Sequence, residues 1–127
     1  MKPIRLEIDG INSYASKQVI DFDRLTSRGI FGIFGKTGSG KSTILDAMTL
    51  ALYGNIARGS KEFINSNRDK AIVSYTFELG LGQDRVRYMV SRRFKKSERS
   101  GKTSATSDYV RLMSMGQDGN YEVLADK

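Results

Sequence analysis

The sequence contains neither cysteine nor histidine. Disulfides and thiolate metal sites are therefore excluded, and the chain lacks both the commonest metal ligand and the commonest acid–base side chain. No apolar run approaches the ~20 residues that a membrane-spanning helix needs, and the N-terminus mixes charged with apolar residues, unlike a secretory signal. We therefore expect a cytoplasmic protein without a membrane partner.

Proline is nearly absent as well, with one residue in 127, while 39% of the residues are hydrophobic. This composition is typical of one small ordered domain, or of part of one. The net charge of +7 is unevenly distributed: residues 85–111 hold nine Lys or Arg and two acids, and the remainder holds twelve of each sign. Such a segment is an electrostatic footprint for a polyanion.

The most specific pattern occupies residues 35–42, which fit G-x-x-x-x-G-K-[ST] at every fixed position. An apolar run, Ile30–Phe34, precedes it and predicts a buried strand, while helical spacing follows it. This strand–loop–helix setting separates a phosphate-binding loop from a chance match. The sequence therefore predicts that the chain binds a nucleoside triphosphate.

Each position of this loop has a predicted role. Glycines allow the backbone to approach phosphate, and successive amides form an anion nest at a helix N-terminus. Lys41 should reach the β- and γ-phosphates and act in catalysis, and Ser42 should bind Mg²⁺, so ATP and Mg²⁺ are the predicted cofactors. Lys36, Thr37 and Ser39 should contribute only their backbone. The candidate nucleotide-binding residues of this segment are Gly35, Lys36, Thr37, Gly38, Ser39, Gly40, Lys41, Ser42 and Thr43. The structural alternative is a glycine-rich turn that caps a helix, with Lys41 solvated.

Periodicity predicts the remaining elements. Alternation of apolar and polar residues favours strands, helical spacing favours a helix from Lys41 to a stop at Gly54, and its apolar composition predicts that it is covered on most sides. Ser97–Ser107 is interpreted as a mobile connector. The predicted strands are Ile4–Asp9, Val19–Phe22, Ala71–Leu79, Val86–Phe94, Tyr109–Met115 and Tyr121–Leu124. The last four follow the helix and are predicted to form an antiparallel meander, with turns at Gly80–Asp84 and Gly116–Asn120.

A complete hydrolytic site needs a further acid, usually at the end of an apolar strand, and a group that orients water. No run of four apolar residues followed by Asp or Glu comes after the loop. Asp46 lies one helical turn beyond Ser42, and we interpret it as a solvated acid or as one that contacts a magnesium ligand. The sequence thus predicts a nucleotide-binding half whose catalytic acid comes from elsewhere.

The chain resembles the start of the SbcC family, the SMC-like ABC ATPases of bacterial SbcCD nucleases that process DNA double-strand breaks. The resemblance covers nearly the whole chain, and its segments are 4–9, Gly10-Ile11-Asn12-Ser13-Tyr14-Ala15, Ile20-Asp21-Phe22, the phosphate loop, Leu45-Asp46-Ala47-Met48-Thr49-Leu50-Ala51-Leu52-Tyr53-Gly54, 63–67, 73–79 and 88–94.

This resemblance implies an α/β P-loop NTPase of the ABC and SMC-like type. Residues 1–69 would form a strand–P-loop–helix core and residues 70–127 an antiparallel β-meander, in an incomplete head domain that stops before the coiled coil. The implied partners are the protein's own C-terminal ATPase lobe, an SbcD-like nuclease subunit, double-stranded DNA and a second head in an ATP-dependent homodimer. The implied location is the cytoplasm, in association with the nucleoid.

The resemblance also implies that Asn12 and Ser13 contact the nucleotide phosphate or ribose, and that the Asn55–Asn67 loop faces the base. From the residues alone, Asn12 and Ser13 could equally cap a turn.

In the basic segment, flexible cations beside a sheet suit sequence-independent contact with DNA phosphates. The candidate DNA-binding residues are Arg93, Lys95, Lys96, Arg99 and Lys102. The alternative is a solvated hairpin tip. Arg92 falls on the face of Val90 and Phe94, so it could instead be partly buried in a structural pair.

Three other functions stay open from the sequence: a sibling SMC or RecF-type repair ATPase, a small P-loop phosphotransferase, and a binding module independent of nucleotide. A phosphotransferase would require alternating helices and strands after Gly54, where the pattern predicts a meander instead.

Overall fold

The computed structural model describes residues 1–11, 16–22, 41–54, 63–99 and 101–127, without the side chains of residues 41–43, 99, 102 and 103. The helix α1 spans Lys41–Tyr53. The strands are β1 (Lys2–Asp9), β2 (Gln18–Asp21), β3 (Lys70–Leu79), β4 (Val86–Arg99), β5 (Lys102–Met115) and β6 (Tyr121–Asp126). The predicted strand Ile30–Phe34 lies outside the described residues.

The strands form one six-stranded sheet in the order β2-β1-β3-β4-β5-β6, with every neighbouring pair antiparallel. The predicted meander is confirmed for β3 to β6. The sheet also takes in both N-terminal strands, because β1 pairs with β3, with Leu6 opposite Tyr75 and Ile8 opposite Val73. These four side chains are fully buried, so the hydrophobic face of β1 sets this long-range register.

The first hairpin follows the prediction. Gly80, at φ 103°, and a short 3₁₀ turn at Gly82–Asp84 connect β3 to β4. An added Cβ at Gly80 would lie 2.6 Å from the Asp84 carbonyl oxygen, so this turn requires glycine. Residues 86–94 of β4 then pair in continuous register with β3.

The prediction of a mobile connector at Ser97–Ser107 is wrong. Here β4 and β5 continue as a two-stranded ribbon, with Ser97 opposite Ser104 and Arg99 opposite Lys102. Two residues, 100 and 101, therefore connect the strands. Gly101, at φ 77°, has the left-handed backbone conformation that such a tight turn needs. The composition is that of a loop, but pairing with the neighbouring strand determines the structure.

The last hairpin confirms the predicted turn at Gly116–Asn120 and the strand after it. The Gly116 amide donates to the Asn120 carbonyl at 2.9 Å, and the Asp118 carboxylate accepts from the Asn120 amide at 3.0 Å. Side chains of Asp in turns commonly make this contact two residues ahead. Strand β6 is exposed along most of its length.

The helix packs on β3 and β4, over the core of the sheet. Ala47, Leu50 and Ala51 are fully buried, whereas the Leu45 and Tyr53 side chains are 55% and 71% exposed. The prediction of a helix covered on most sides is confirmed for the described side chains, since Ile44, Met48 and Leu52 also pack against the core. We call the side of the sheet that carries α1 the helix face, and the opposite side the outer face.

Candidate functional site

The predicted phosphate loop lies mostly outside the described residues, which exclude Gly35, Lys36, Thr37, Gly38, Ser39 and Gly40 as well as Asn12 and Ser13. Lys41, Ser42 and Thr43 are the first three residues of α1. The helix therefore begins at the lysine of the pattern, where its first free amides and the positive end of its dipole favour an anion.

Asp46 is 8% exposed, so the interpretation as a solvated acid is wrong. Its position follows from the packing of α1. The apolar side chains of this helix spread over most of its circumference, and the side that meets the sheet is centred on Ala47, Leu50 and Ala51, next to Asp46. Small side chains at two of these positions allow the helix to approach the strands closely.

The C-terminal end of α1 is held by a residue of β4. Arg92 Nε donates to the Ala51 carbonyl oxygen at 3.3 Å, and burial lowers the pKa of Arg92. Gly54 ends the helix at φ 80°, with its amide donating to the Leu50 carbonyl at 2.9 Å. The expected burial of Arg92 is thus confirmed, and its partner is a backbone carbonyl.

Phe63 and Phe94 pack edge to face in the core, with ring centroids 4.9 Å apart. The Asn65 amide donates to the Gly10 carbonyl at 2.8 Å, and Ile64 pairs with Ile11 as an isolated bridge. Residues 63–65 are therefore attached to the end of β1. Of the segment predicted to face the base, residues 55–62 lie outside the described ranges, and Phe63, at 3% exposure, belongs to the core.

Most arginines of the basic segment are already ion-paired on the outer face. Glu78 pairs with Arg87 at 3.3 Å and Arg85 at 3.7 Å, and Arg111 pairs with Asp126 at 3.1 Å. These carboxylates belong to β3 and β6. The net positive charge around the basic segment in the folded protein is therefore much smaller than the net charge of the segment itself.

Arg93, a predicted DNA contact, belongs to a cluster around Tyr109. Its Nε donates to Asp108 at 3.1 Å, and the guanidiniums of Arg93 and Arg111 lie 5.7 Å and 5.5 Å from the Tyr109 ring centroid. The Arg93 hydrogen bond lowers the pKa of Asp108, with a smaller contribution from the charge of Lys95. Desolvation, together with a hydrogen bond to Asp126, raises the pKa of Tyr109. Arg93 is therefore engaged within the fold.

Two neighbouring predicted contacts, Lys95 and Lys96, lie on opposite faces because side chains alternate along a strand. The Lys96 ammonium donates to the Asn65 carbonyl at 3.5 Å on the helix face. Lys95 is exposed on the outer face. Arg99 and Lys102 pair with each other at the end of the ribbon.

Lys95 stands directly opposite Lys70 of β3. The Lys96 amide donates to the Asp69 carbonyl at 2.8 Å, which makes Lys70–Lys95 a non-hydrogen-bonded pair, the type with the closest side chains. Among the described residues, no carboxylate lies within ion-pair distance of either ammonium. Like charges in this position are destabilising, so the pair favours an anionic ligand. Sequence reasoning missed Lys70, because only the strand register brings it to Lys95.

Comparison with known proteins gives one family. Residues 5–123 match the family model of an AAA domain. Three relatives are named as the SbcC component of the SbcCD nuclease. The protein of Clostridium acetobutylicum is 49% identical over 107 residues, which are 84% of this chain and 9% of that protein. The proteins of Bacillus subtilis and Staphylococcus aureus are 42% and 36% identical over all of this chain, which covers 11% and 12% of their lengths.

The chain belongs to the SbcC family of AAA-domain proteins. The resemblance noted in the sequence is confirmed, and the P-loop NTPase class is supported by the AAA domain match. This SbcC-family chain spans roughly a tenth of the length of the three relatives, between 9% and 12%.

In the described part of this SbcC-family chain, no group of three or more acidic, cysteine or histidine side chains could hold a metal ion. The described helix is also too short and insufficiently apolar to cross a membrane.

Proposed function

We propose that this chain is the ATP-binding lobe of an SbcC-type ATPase. The observation that carries the proposal is the position of the G-x-x-x-x-G-K-[ST] pattern within the matched region, residues 5–123, with α1 beginning at its lysine. Helix N-termini and glycine-rich loops bind triphosphates through backbone amides. The family match supports the interpretation of this pattern as a phosphate-binding loop rather than as a chance occurrence.

The residue types at the start of α1 fit Mg²⁺–ATP. Lys41 supplies an ammonium to the β- and γ-phosphates, and Ser42 supplies a hydroxyl oxygen, the hard ligand that Mg²⁺ prefers. When bound, the ion would neutralise charge on the phosphate oxygens. Asn12 and Ser13 complete the proposed site on the side of the nucleotide phosphate or ribose. The buried face of α1 keeps the helix fixed on β3 and β4, so the first turn has a defined position.

We further propose that hydrolysis requires a second lobe. The proposed site has one magnesium ligand in this chain, and the remaining acid would come from another part of the protein, as the much greater length of the relatives allows. The Leu45 and Tyr53 side chains are exposed on α1, and exposed apolar groups are suited to contact with such a lobe.

The test of this split site is ATP hydrolysis by the chain alone and in the presence of the C-terminal lobe. The chain alone should show negligible turnover, because the sequence after the loop offers no strand-end acid of the usual pattern to complete magnesium binding. The C-terminal lobe should restore turnover, and Lys41→Ala should abolish it. Brisk turnover by the chain alone would contradict the proposal.

A small phosphotransferase is the weaker alternative. In such a fold, helices and strands alternate beyond the first helix, whereas the described residues after 63 form four antiparallel strands in succession. A sibling SMC or RecF-type ATPase would share the proposed nucleotide chemistry and differ in its partners.

The proposed partners are an SbcD-like nuclease subunit, a second head and double-stranded DNA, in a nucleoid-associated cytoplasmic complex that processes DNA ends. For DNA, the exposed Lys70–Lys95 pair and the end of the β4–β5 ribbon, with Arg99 and Lys102, are the proposed phosphate contacts. Lys96 and Arg93 would have to exchange their present partners for phosphate. Cations that bind phosphate release counterions from DNA, which gives salt-dependent affinity.

A further inference from the structure

The last turn of α1 carries partial negative charge that no side chain of that turn offsets. It contains no basic residue, although the carbonyls at a helix C-terminus carry partial negative charge and lack partners further along the helix. The guanidinium of Arg92 supplies that charge from β4, through its bond to the Ala51 carbonyl. A strand thus completes the end of the helix.

Arg92 is well placed to hold the helix still. It stands opposite Val73 on one side and Val110 on the other, in the interior of the sheet. Its guanidinium also packs against Gly54, where an added Cβ would lie 3.0 Å from Nη1. The bond therefore ties the helix to a part of the fold that is paired on both edges.

Apolar packing alone constrains α1 less strictly. Ala47 and Ala51 contribute two of the three fully buried side chains of the interface, and Ile44, Met48 and Leu52 are only partly buried against the core. A directional, charged hydrogen bond adds a restraint on translation and rotation that apolar contacts of this kind supply less strictly.

A displacement of the C-terminal end of α1 also displaces its N-terminal end. A helix of 13 residues is about 20 Å long and moves as a rigid rod. A shift of Ala51 along the axis therefore shifts Lys41 and Ser42 by a similar distance, and phosphate sites depend on placement to within about 0.5 Å.

We infer that Arg92 is a positioning residue of the nucleotide site, which acts by holding the far end of α1 in register with the sheet. This inference rests on the proposed function of the chain. Arg92 itself contacts no phosphate, and its effect on nucleotide binding is transmitted through the helix.

The test is calorimetric titration of the chain with Mg²⁺–ATP for the wild type, Arg92→Met, Arg92→Lys and the control Arg87→Met, which removes an outer-face arginine paired with Glu78. Circular dichroism melting of each variant identifies a temperature at which all are folded. We expect Arg92→Met to weaken nucleotide affinity by about threefold to tenfold, less than the full loss of one charged hydrogen bond because the effect reaches the nucleotide only through the helix. Arg92→Lys should recover part of the loss, and Arg87→Met should bind as the wild type does.

An Arg92→Met variant that melts earlier yet binds nucleotide with unchanged affinity would overturn the inference, because Arg92 would then be structural only. Should Arg92→Met fail to fold, Arg92→Lys decides alone: weakened affinity in the folded variant supports positioning, and wild-type affinity refutes it. Absence of binding by the wild type would instead refute the proposed function.

Discussion

Arg92 Nε and the Ala51 carbonyl oxygen, 3.3 Å apart, join the interior of β4 to the last turn of α1. The two residues are 41 positions apart in the sequence, and no local pattern predicts that they meet. Their contact connects the strand that leads into the basic ribbon with the helix that begins at the phosphate-binding pattern.

Gly54→Ala should lower the free energy of unfolding by about 1–2 kcal/mol from the left-handed backbone alone, with a further cost because the new Cβ would displace Arg92 Nη1. Gly119 is a matched control: its φ of 81° is nearly that of Gly54, and an added Cβ there meets nothing within 4 Å. In urea unfolding, Gly54→Ala should therefore destabilise more than Gly119→Ala. Equal effects would contradict the tight Gly54–Arg92 contact.

The buried hydroxyl of Tyr75 leads us to expect that the protein loses stability at alkaline pH. Burial raises the pKa of Tyr75 to about 12, from 10.0 for an unperturbed tyrosine. The unfolded chain loses this proton at lower pH than the folded one, so the free energy of unfolding should fall as the pH rises from 10 to about 12. The loss attributable to this group is about 3 kcal/mol at most.

Tyr75→Phe should remove that part of the pH dependence. At neutral pH it should change the free energy of unfolding by less than about 1 kcal/mol, because within the described residues the hydroxyl makes one weak hydrogen bond, to Met1 Sδ. Urea unfolding across this pH range measures both effects. A wild type and a variant with the same alkaline slope would show that Tyr75 is not the group responsible.

The Lys70–Lys95 pair predicts opposite effects on stability and on binding. Lys70→Gln or Lys95→Gln should leave the free energy of unfolding unchanged or raise it by about a few tenths of a kcal/mol, because each removes a like-charge opposition. Each should weaken binding to duplex DNA and reduce the slope of log K against log salt by about 0.9. Arg87→Gln, at an arginine paired with Glu78, is the control. Binding isotherms that coincide with the wild type at every salt concentration would exclude the pair from the DNA surface.

The sequence predicted the elements whose local signals agree with their final environment. Alternation along Ala71–Leu79 corresponds to β3, and Gly54 ends α1 as its lack of a Cβ suggests. The ribbon at Ser97–Ser107 was predicted as a connector because its Ser, Thr, Lys and Gly content is typical of loops. Strand pairing with β4 outweighs that composition, as tertiary context often does.

Long-range relationships could not be predicted from local pattern. The place of β1 between β2 and β3 depends on which hydrophobic faces meet, and the approach of Lys70 to Lys95 depends on register. The face that α1 turns to the sheet was ambiguous because its apolar residues surround it. The phosphate loop stays a prediction, which rests on the residue types that its chemistry requires at short spacing.

The central claim is that a triphosphate binds at the residues leading into α1. Calorimetric titration of the chain with Mg²⁺–ATP, for the wild type and for Lys41→Ala, tests it most directly. We expect saturable heat for the wild type and its loss in Lys41→Ala, with both proteins showing the same circular dichroism. No heat from the folded wild type, or equal affinity in Lys41→Ala, would contradict the claim.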